Sequence, residues 1–219
     1  MEISTSLLSV NKENAIETFY RIEATHTNYF HIDVMDGKFV ENDTTELMQE
    51  YIDMLKGTTN TPIDVHLMVE NINEFIDTYA SSMPRSITFH IEATKNKEEI
   101  MSLINKIKEE GCKVGIAISP KTPIEEVYEY LPYIHTVLVM TVEPGKGSQK
   151  LIPNTIDKIV KLKKYIEDNK LENDIEVDGG INLDTIKLVK DAGANIAVVG
   201  SFMINSKDYQ YTMNALKNA

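Results

Sequence analysis

Eight apolar, β-branched runs recur along the chain about every 25 to 30 residues, and each gap between them carries helical periodicity. The runs read "ISTSLLS", "YFHIDVM", "IDVHLMV", "SITFHIE", "VGIAIS", "TVLVMTV", "IEVDGG" and "IAVVGS". The expected helices are Asn14 to Thr25, Glu46 to Lys56, Ile72 to Ser81, Glu98 to Glu110, Glu125 to Tyr130, Ile156 to Asn169 and Thr185 to Ala192, with Ser206 to Ala219 closing the chain. Strand-helix alternation this strict demands parallel strands joined by helical crossovers. At 219 residues, eight such units predict an α/β protein with a closed (β/α)8 TIM barrel, one domain spanning residues 1–219, rather than an open sheet.

Residues at the helix edges agree. Asn11 or Asn14, Thr44, Asn71, Pro123, Asn154 and Asp184 stand where caps or first-turn residues belong, and Gly57, Gly111 and Gly193 where helices stop.

Charge narrows the partners. With 34 acidic against 22 basic residues the net charge is -12, which argues against a nucleic-acid surface, because duplex binding needs a basic face. The N-terminus lacks a basic leader, and no apolar run reaches the roughly 20 residues that span a bilayer, so neither membrane nor export is expected. One cysteine, Cys112, cannot form an internal disulfide and is read as packing, in keeping with a cytoplasmic location.

Active sites of such barrels lie at the C-terminal strand ends. In "HIDVMDG", His31, Asp33 and Met35 share one parity and Ile32 and Val34 the other. His66 and Met68 share a parity in "DVHLMV", and Asp178 arrives on the seventh strand. Two histidines and two carboxylates suit one divalent Zn, Fe, Mn or Co ion, although either histidine alone fits a satisfied core position. Ser6, Met140, His90 and Glu92 complete the polar or polarizable strand ends, the last two as partners that hold other residues.

"DGGIN" and "VGS" end the seventh and eighth strands, where barrels bind phosphate through backbone N–H groups. Gly179, Gly180, Gly200 and Ser201 are the candidates. The segment "EPGKGSQ" after the sixth strand offers a loop over the ligand, with mobility from Gly145 and Gly147 and charge from Lys146, or a plain surface loop. Met35, Met68 and Met140 serve either as core filling or as an apolar lid that keeps a charged intermediate dry.

These motifs, with "HIDVMDGKFV", "ITFHIEA", "GIAISPKTPIE" and "AGANIAVVGS", resemble in order those of the ribulose-phosphate 3-epimerase family along the whole chain. The resemblance implies a TIM barrel of the ribulose-phosphate-binding type. It implies a metal held by His31, Asp33, His66 and Asp178, with Asp33 and Asp178 as the acid/base pair. It also implies a phosphorylated ketose touched by Ser6 and His66, lined by the three methionines and held through Gly145, Gly147, Gly179, Gly180, Gly200 and Ser201. Inverting a carbon α to a carbonyl removes a proton on one face and returns one on the other, so two carboxylates suit that chemistry. Three positions depart from the family's pattern: Lys146 and Ser148 stand in place of an aromatic residue and a glycine, and Glu41 in place of proline.

Other functions stay in view. An epimerase acting on allulose 6-phosphate resembles the chain in "YFHIDVMDG" and "VMTVEPG". Related phosphosugar or orotidylate decarboxylases carry an Asp-x-Lys-x-x-Asp array on the third strand, and "DVHLMV" lacks that lysine. A non-catalytic sugar-phosphate sensor on the same barrel, and a homo-oligomer built through exposed helical faces, are the remaining possibilities.

Overall fold

A computed structural model describes residues 1–219. Its strands are β1 (Glu2–Ser6), β2 (Tyr29–Met35), β3 (Ile63–Met68), β4 (Ser86–His90), β5 (Lys113–Ile118), β6 (Thr136–Met140), β7 (Asp174–Asp178) and β8 (Ile196–Val199). Every neighbouring pair is parallel, and β8 pairs back onto β1 to close the barrel. Closure removes both sheet edges, so strands of only four to seven residues are fully paired.

Helices α1 (Ala15–Glu23), α2 (Thr45–Lys56), α3 (Ile72–Ala80), α4 (Lys97–Glu109), α5 (Thr155–Asp168) and α6 (Ile186–Ala192) wrap the barrel. A short α7 (Ser201–Ile204) follows β8, and α8 (Tyr209–Asn218) ends the chain. The crossover from β5 to β6, expected as an α-helix, is instead a 3-10 segment over Ile124–Tyr133. Pro132 lies inside it, and a proline there removes an N–H donor and crowds the preceding turn.

The capping chemistry also shifts. Asn96 and Asp208 accept from the N–H groups of Glu99 and Tyr211 at 2.9 Å, whereas Thr44, Asn71 and Asn154 make no side-chain cap. Thr44 is recruited by the barrel: its hydroxyl donates to the Asp33 carbonyl (2.6 Å) and accepts from the Met35 N–H (2.9 Å). That bracket fixes the end of β2, where the polar residues gather.

Strand parity divides the apolar surface. Outward residues such as Ile32, Val34, Val65, Leu67, Val137 and Val177 merge with the helices into one cluster of 55 buried residues, which includes Cys112. Each fully buried Val, Leu or Ile there contributes about 1.5–3 kcal/mol, so this sheath supplies most of the fold's stability. Inside the barrel the clustered apolar set shrinks to Ala117, Leu138, Met140, Val142 and Val198, with Met35, Met68 and Ile196 buried apart from it, and most of the remaining volume is filled by His, Asp, Glu, Ser and Thr side chains.

Gly115 in β5 belongs to this interior. A Cβ there would lie 2.1 Å from the Thr88 hydroxyl oxygen, itself buried without a hydrogen-bond partner. Gly115→Ala is expected to lower unfolding stability by about 1–3 kcal/mol through overpacking, and Thr88→Ala in the same chain to recover most of it, measured by a urea double-mutant cycle.

Candidate active site

The inward parity of β2, β3 and β7 brings two ionisable groups from each strand into the barrel: His31 and Asp33, Asp64 and His66, Glu176 and Asp178. At the cleft floor, ligand atoms of His31, Asp33, His66 and Asp178 all lie within 4.8 Å of one another. Asp33 Oδ1 stands 3.3 Å from His31 Nε2 and 3.2 Å from His66 Nδ1, and Asp178 Oδ2 is 3.9 Å from the same His66 nitrogen. His31 and His66 have no exposed surface, while the Asp178 side chain opens to the cleft at 18 %.

The neighbours of these groups set their states. His31 Nδ1 faces Asp64 Oδ2 at 3.0 Å, and Asp64 Oδ1 accepts from Ser86 Oγ at 2.8 Å. Ser6 Oγ donates to Asp33 Oδ2 at 2.7 Å. His66 Nε2 meets His90 Nε2 at 2.9 Å, and His90 Nδ1 meets Glu92 Oε2 at 3.0 Å.

Burial and charge then separate the two carboxylates of the floor. Burial opposes ionisation of Asp33, but His31 and His66 outweigh it and hold Asp33 well below the ordinary carboxylate range. For Asp178 the balance reverses: burial, joined by the negative charge of Asp33, outweighs the pull of His31 and pushes it up to about 7. Deeper in the barrel, burial and the charge of Asp64 hold Glu176 well above its ordinary value. For His31, burial opposes the charge, yet Asp33 and Asp64 prevail and raise it well above the imidazole range.

This arrangement suits a cation. His31 Nε2 is buried and has no hydrogen-bond partner, although it points at Asp33. Two imidazole nitrogens and two carboxylates converging on one point match the preferences of borderline divalent metals. The set His31, Asp64 and Glu176 also lies within ligand reach, but there Asp64 engages His31 Nδ1, the support a metal-binding imidazole usually has on its second nitrogen.

Above the floor a cleft opens to solvent. Ser6, Asp33, Met35, Met68, Met140, Gly145, Gly147, Asp178, Gly179, Gly180, Gly200 and Ser201 all line it. His31 and His66 do not; they sit beneath the floor, so His66 reaches the cleft only through Asp33 and Asp178. Sequence reading passed over Asp64 and left Glu176 without a role. Both lie two residues before a chosen group on the same strand, so parity was the available signal. It also passed over Ser9, Val142, Glu143, Gln149 and Ile181, which come from loops and line the same cleft.

The loop after β6 is held over the cleft. Gln149 Nε2 donates to the carbonyls of Glu143 (2.7 Å) and Lys146 (2.8 Å), and Asn42 Nδ2 to that of Gly145 (2.6 Å). Gly145, at φ +100°, packs so tightly on Val40 that a Cβ would come within 2.7 Å. Ser148 adopts φ +58°, in the left-handed region that favours glycine. Lys146 and Glu41 pair at 3.2 Å across the mouth, both exposed.

Residues 2–204 match the ribulose-phosphate 3 epimerase family. A ribulose-phosphate 3-epimerase of Methanocaldococcus jannaschii is 38 % identical over 220 residues, covering 100 % of this chain and 91 % of that protein. One from Escherichia coli K12 is 32 % identical, covering 99 % and 94 %. Among solved structures, a 3-hexulose-6-phosphate synthase superposes with a TM-score of 0.71 at 14 % identity over 100 % of this chain and 99 % of its own. KGPDC from Streptococcus mutans gives 0.72, also at 14 %, over 99 % and 95 %. These two likenesses concern the fold. The family match along nearly the whole chain and the identities to these epimerases agree: the chain is an isomerase and belongs to the ribulose-phosphate 3-epimerase family.

Proposed function

We propose that this protein interconverts D-ribulose 5-phosphate and D-xylulose 5-phosphate in the cytoplasm, with Asp33 and Asp178 exchanging protons with C3 of the sugar. The observation that carries this reading is the convergence of those two carboxylates, from strands separated by β8 and β1, on one cleft floor between two buried imidazoles. Epimerisation needs one carboxylate ionised to take the C3 proton and the other protonated to return one on the opposite face. Asp33, held ionised by His31 and His66, and Asp178, near its midpoint at pH 7, form such a pair. After each conversion the two have exchanged states, and they recover by passing one proton back.

His31, Asp33, His66 and Asp178 are the residues that would hold a divalent ion, Zn, Fe, Mn or Co. Bound there, it would supply Lewis-acid stabilisation of the negative charge that develops on the substrate. Ser6, bonded to Asp33 Oδ2, orients that carboxylate at the substrate's edge. Met35, Met68 and Met140 surround the reacting carbons with polarizable apolar surface and keep water from the enediolate. Gly179, Gly180, Gly200 and Ser201 hold the phosphate with backbone N–H groups. Support for that comes from α7, which starts at Ser201 and leaves the N–H groups of Ser201 and Phe202 without intrahelical partners, while that of Met203 bonds the Gly200 carbonyl. The backbone also approaches closely there: a Cβ on Gly179 would meet Val142 at 2.3 Å.

A coupled assay on ribulose 5-phosphate and allulose 6-phosphate in parallel tests the assignment. The pentose is expected to be the better substrate, and Asp178→Asn to lower kcat by about 10²–10⁴-fold with the fold intact. Preference for the hexose would move the assignment to that substrate, and turnover of neither sugar by metal-replete protein would overturn it.

Cation binding is also expected to depend on pH. Asp178, raised to about 7, and His31, raised well above the ordinary imidazole range, must each release a proton to become ligands. Affinity of the metal-free protein for Zn2+ or Mn2+ should therefore weaken by about tenfold per pH unit for each proton displaced as pH falls below 7. Calorimetry in buffers of differing ionisation enthalpy counts those protons directly.

A further inference from the structure

Strand β1 stops at Ser6, opposite His31, whereas β2 runs on to Met35. The Leu7 N–H donates to the His31 carbonyl at 3.1 Å, so the backbone groups of His31, and by alternation those of Asp33 and Met35, turn toward the β1 side. Ile32 and Val34 turn theirs toward β3. Past Ser6 there is no β1 strand to meet Asp33 and Met35, and buried backbone groups are not left unpaired.

Thr44 stands in for the missing strand. Its hydroxyl donates to the Asp33 carbonyl at 2.6 Å and accepts from the Met35 N–H at 2.9 Å, and its own N–H donates to the Met35 carbonyl at 2.9 Å. The residue is buried, and its carbonyl accepts from the Met48 N–H at 2.8 Å, which ties the end of β2 to the start of α2. Asp43 frees Thr44 for this task by serving the helix start itself: Asp43 Oδ1 accepts from the Thr45 N–H at 3.0 Å and from the Thr45 hydroxyl at 2.7 Å. The segment so braced carries Asp33 and Met35, both of which line the cleft.

We propose that Thr44 is a positioning residue for the reaction: by completing the β1 side of β2 it fixes the backbone that aims the Asp33 carboxylate and the Met35 side chain at the substrate. The inference rests on the acid/base reading of Asp33 given above. Slack in this segment would move Asp33 relative to Asp178, which a different strand carries, and a misplacement of about 1 Å between reacting groups costs up to about 10²-fold in rate. The phosphate end of the cleft is built at β7 and β8, outside the segment that Thr44 braces. Loss of the hydroxyl therefore falls on kcat far more than on KM.

The test uses the full-length protein with Thr44→Val, which keeps the shape and removes the hydroxyl, and Thr44→Ser, which keeps the hydroxyl, each studied well below its unfolding temperature. On ribulose 5-phosphate, Thr44→Val is expected to lower kcat by about 10- to 100-fold with KM changed by less than about threefold, and Thr44→Ser to stay within about threefold of wild type. Metal-stripped Thr44→Val should bind Zn2+ about tenfold more weakly, a readout free of turnover. Amide hydrogen exchange locates the effect: Met35 is expected to be protected in wild type and selectively released in Thr44→Val, while Ile32 and Val34 keep their protection. A merely structural role lowers stability but leaves the folded variant with wild-type kcat and Zn2+ affinity, and that result overturns the proposal. So does a wild-type Met35 amide that exchanges as fast as an exposed loop amide, which decides the matter even if Thr44→Val fails to fold. Turnover of neither sugar by wild type, with Met35 protected and Zn2+ binding weakened in Thr44→Val, would instead sink the epimerase reading and leave the bracing of Asp33 by Thr44 standing.

Discussion

The structure depends on one constraint: a barrel whose inner volume is occupied by ionisable groups must satisfy each of them without water. An isolated buried charge is far too costly to tolerate, so every such group needs a partner. Here the partners come from adjacent strands in register. His31 pairs opposite Asp64, Asp33 opposite His66, and Asp64 opposite Ser86. The lateral pairing of β2, β3 and β4 therefore builds the hydrogen-bond network by the same act that closes the sheet. The ladder of partners runs out at Glu176 Oε1, deeper in the barrel, and at His31 Nε2, whose unmet valence faces the cleft floor.

This division of labour explains how so polar an interior is tolerated. The outward faces of the same strands are apolar and pack beneath the helices in a continuous sheath. That sheath drives folding through apolar burial and leaves the inward face free for chemistry. Small residues such as Gly115 make room for the polar layers, and close approaches at Gly145 and Gly179 let loop backbone come down over the strand ends.

Electrostatics turn a row of similar carboxylates into groups with different tasks. Asp33 sits between imidazoles and stays ionised, whereas for Asp178, three strands away around the barrel, burial and the charge of Asp33 outweigh the pull of His31, and it holds its proton to about pH 7. Asp64 and Glu176 share the layer below, where Asp64 is pulled to about 2 by His31, which outweighs its burial, and Glu176 is driven the other way. A pair of titratable groups pushed apart by their surroundings is the signature expected of acid/base machinery. The mouth of the cleft is governed by weaker forces. The exposed Lys146–Glu41 pair contributes no more than about 1 kcal/mol, so the hydrogen bonds of Gln149 and Asn42 hold the loop.

Sequence alone determined the alternation of strands and helices, the closed barrel, and which residues face inward, because parity on a strand is a local property that tertiary packing does not change. It also singled out His31, Asp33, His66 and Asp178, since ionisable groups on the inward parity of a buried strand need a reason to be there. Tertiary structure decided what each of them touches. Asp64 and Glu176 acquire a part only because strand register sets Asp64 opposite His31 and barrel closure brings Glu176 within reach of both. Thr44 gave up its expected cap because β2 offered it two backbone partners, and Pro132 drew the fifth crossover into 3-10 turns. The path from His66 to Glu92 links strands and loops far apart in the chain.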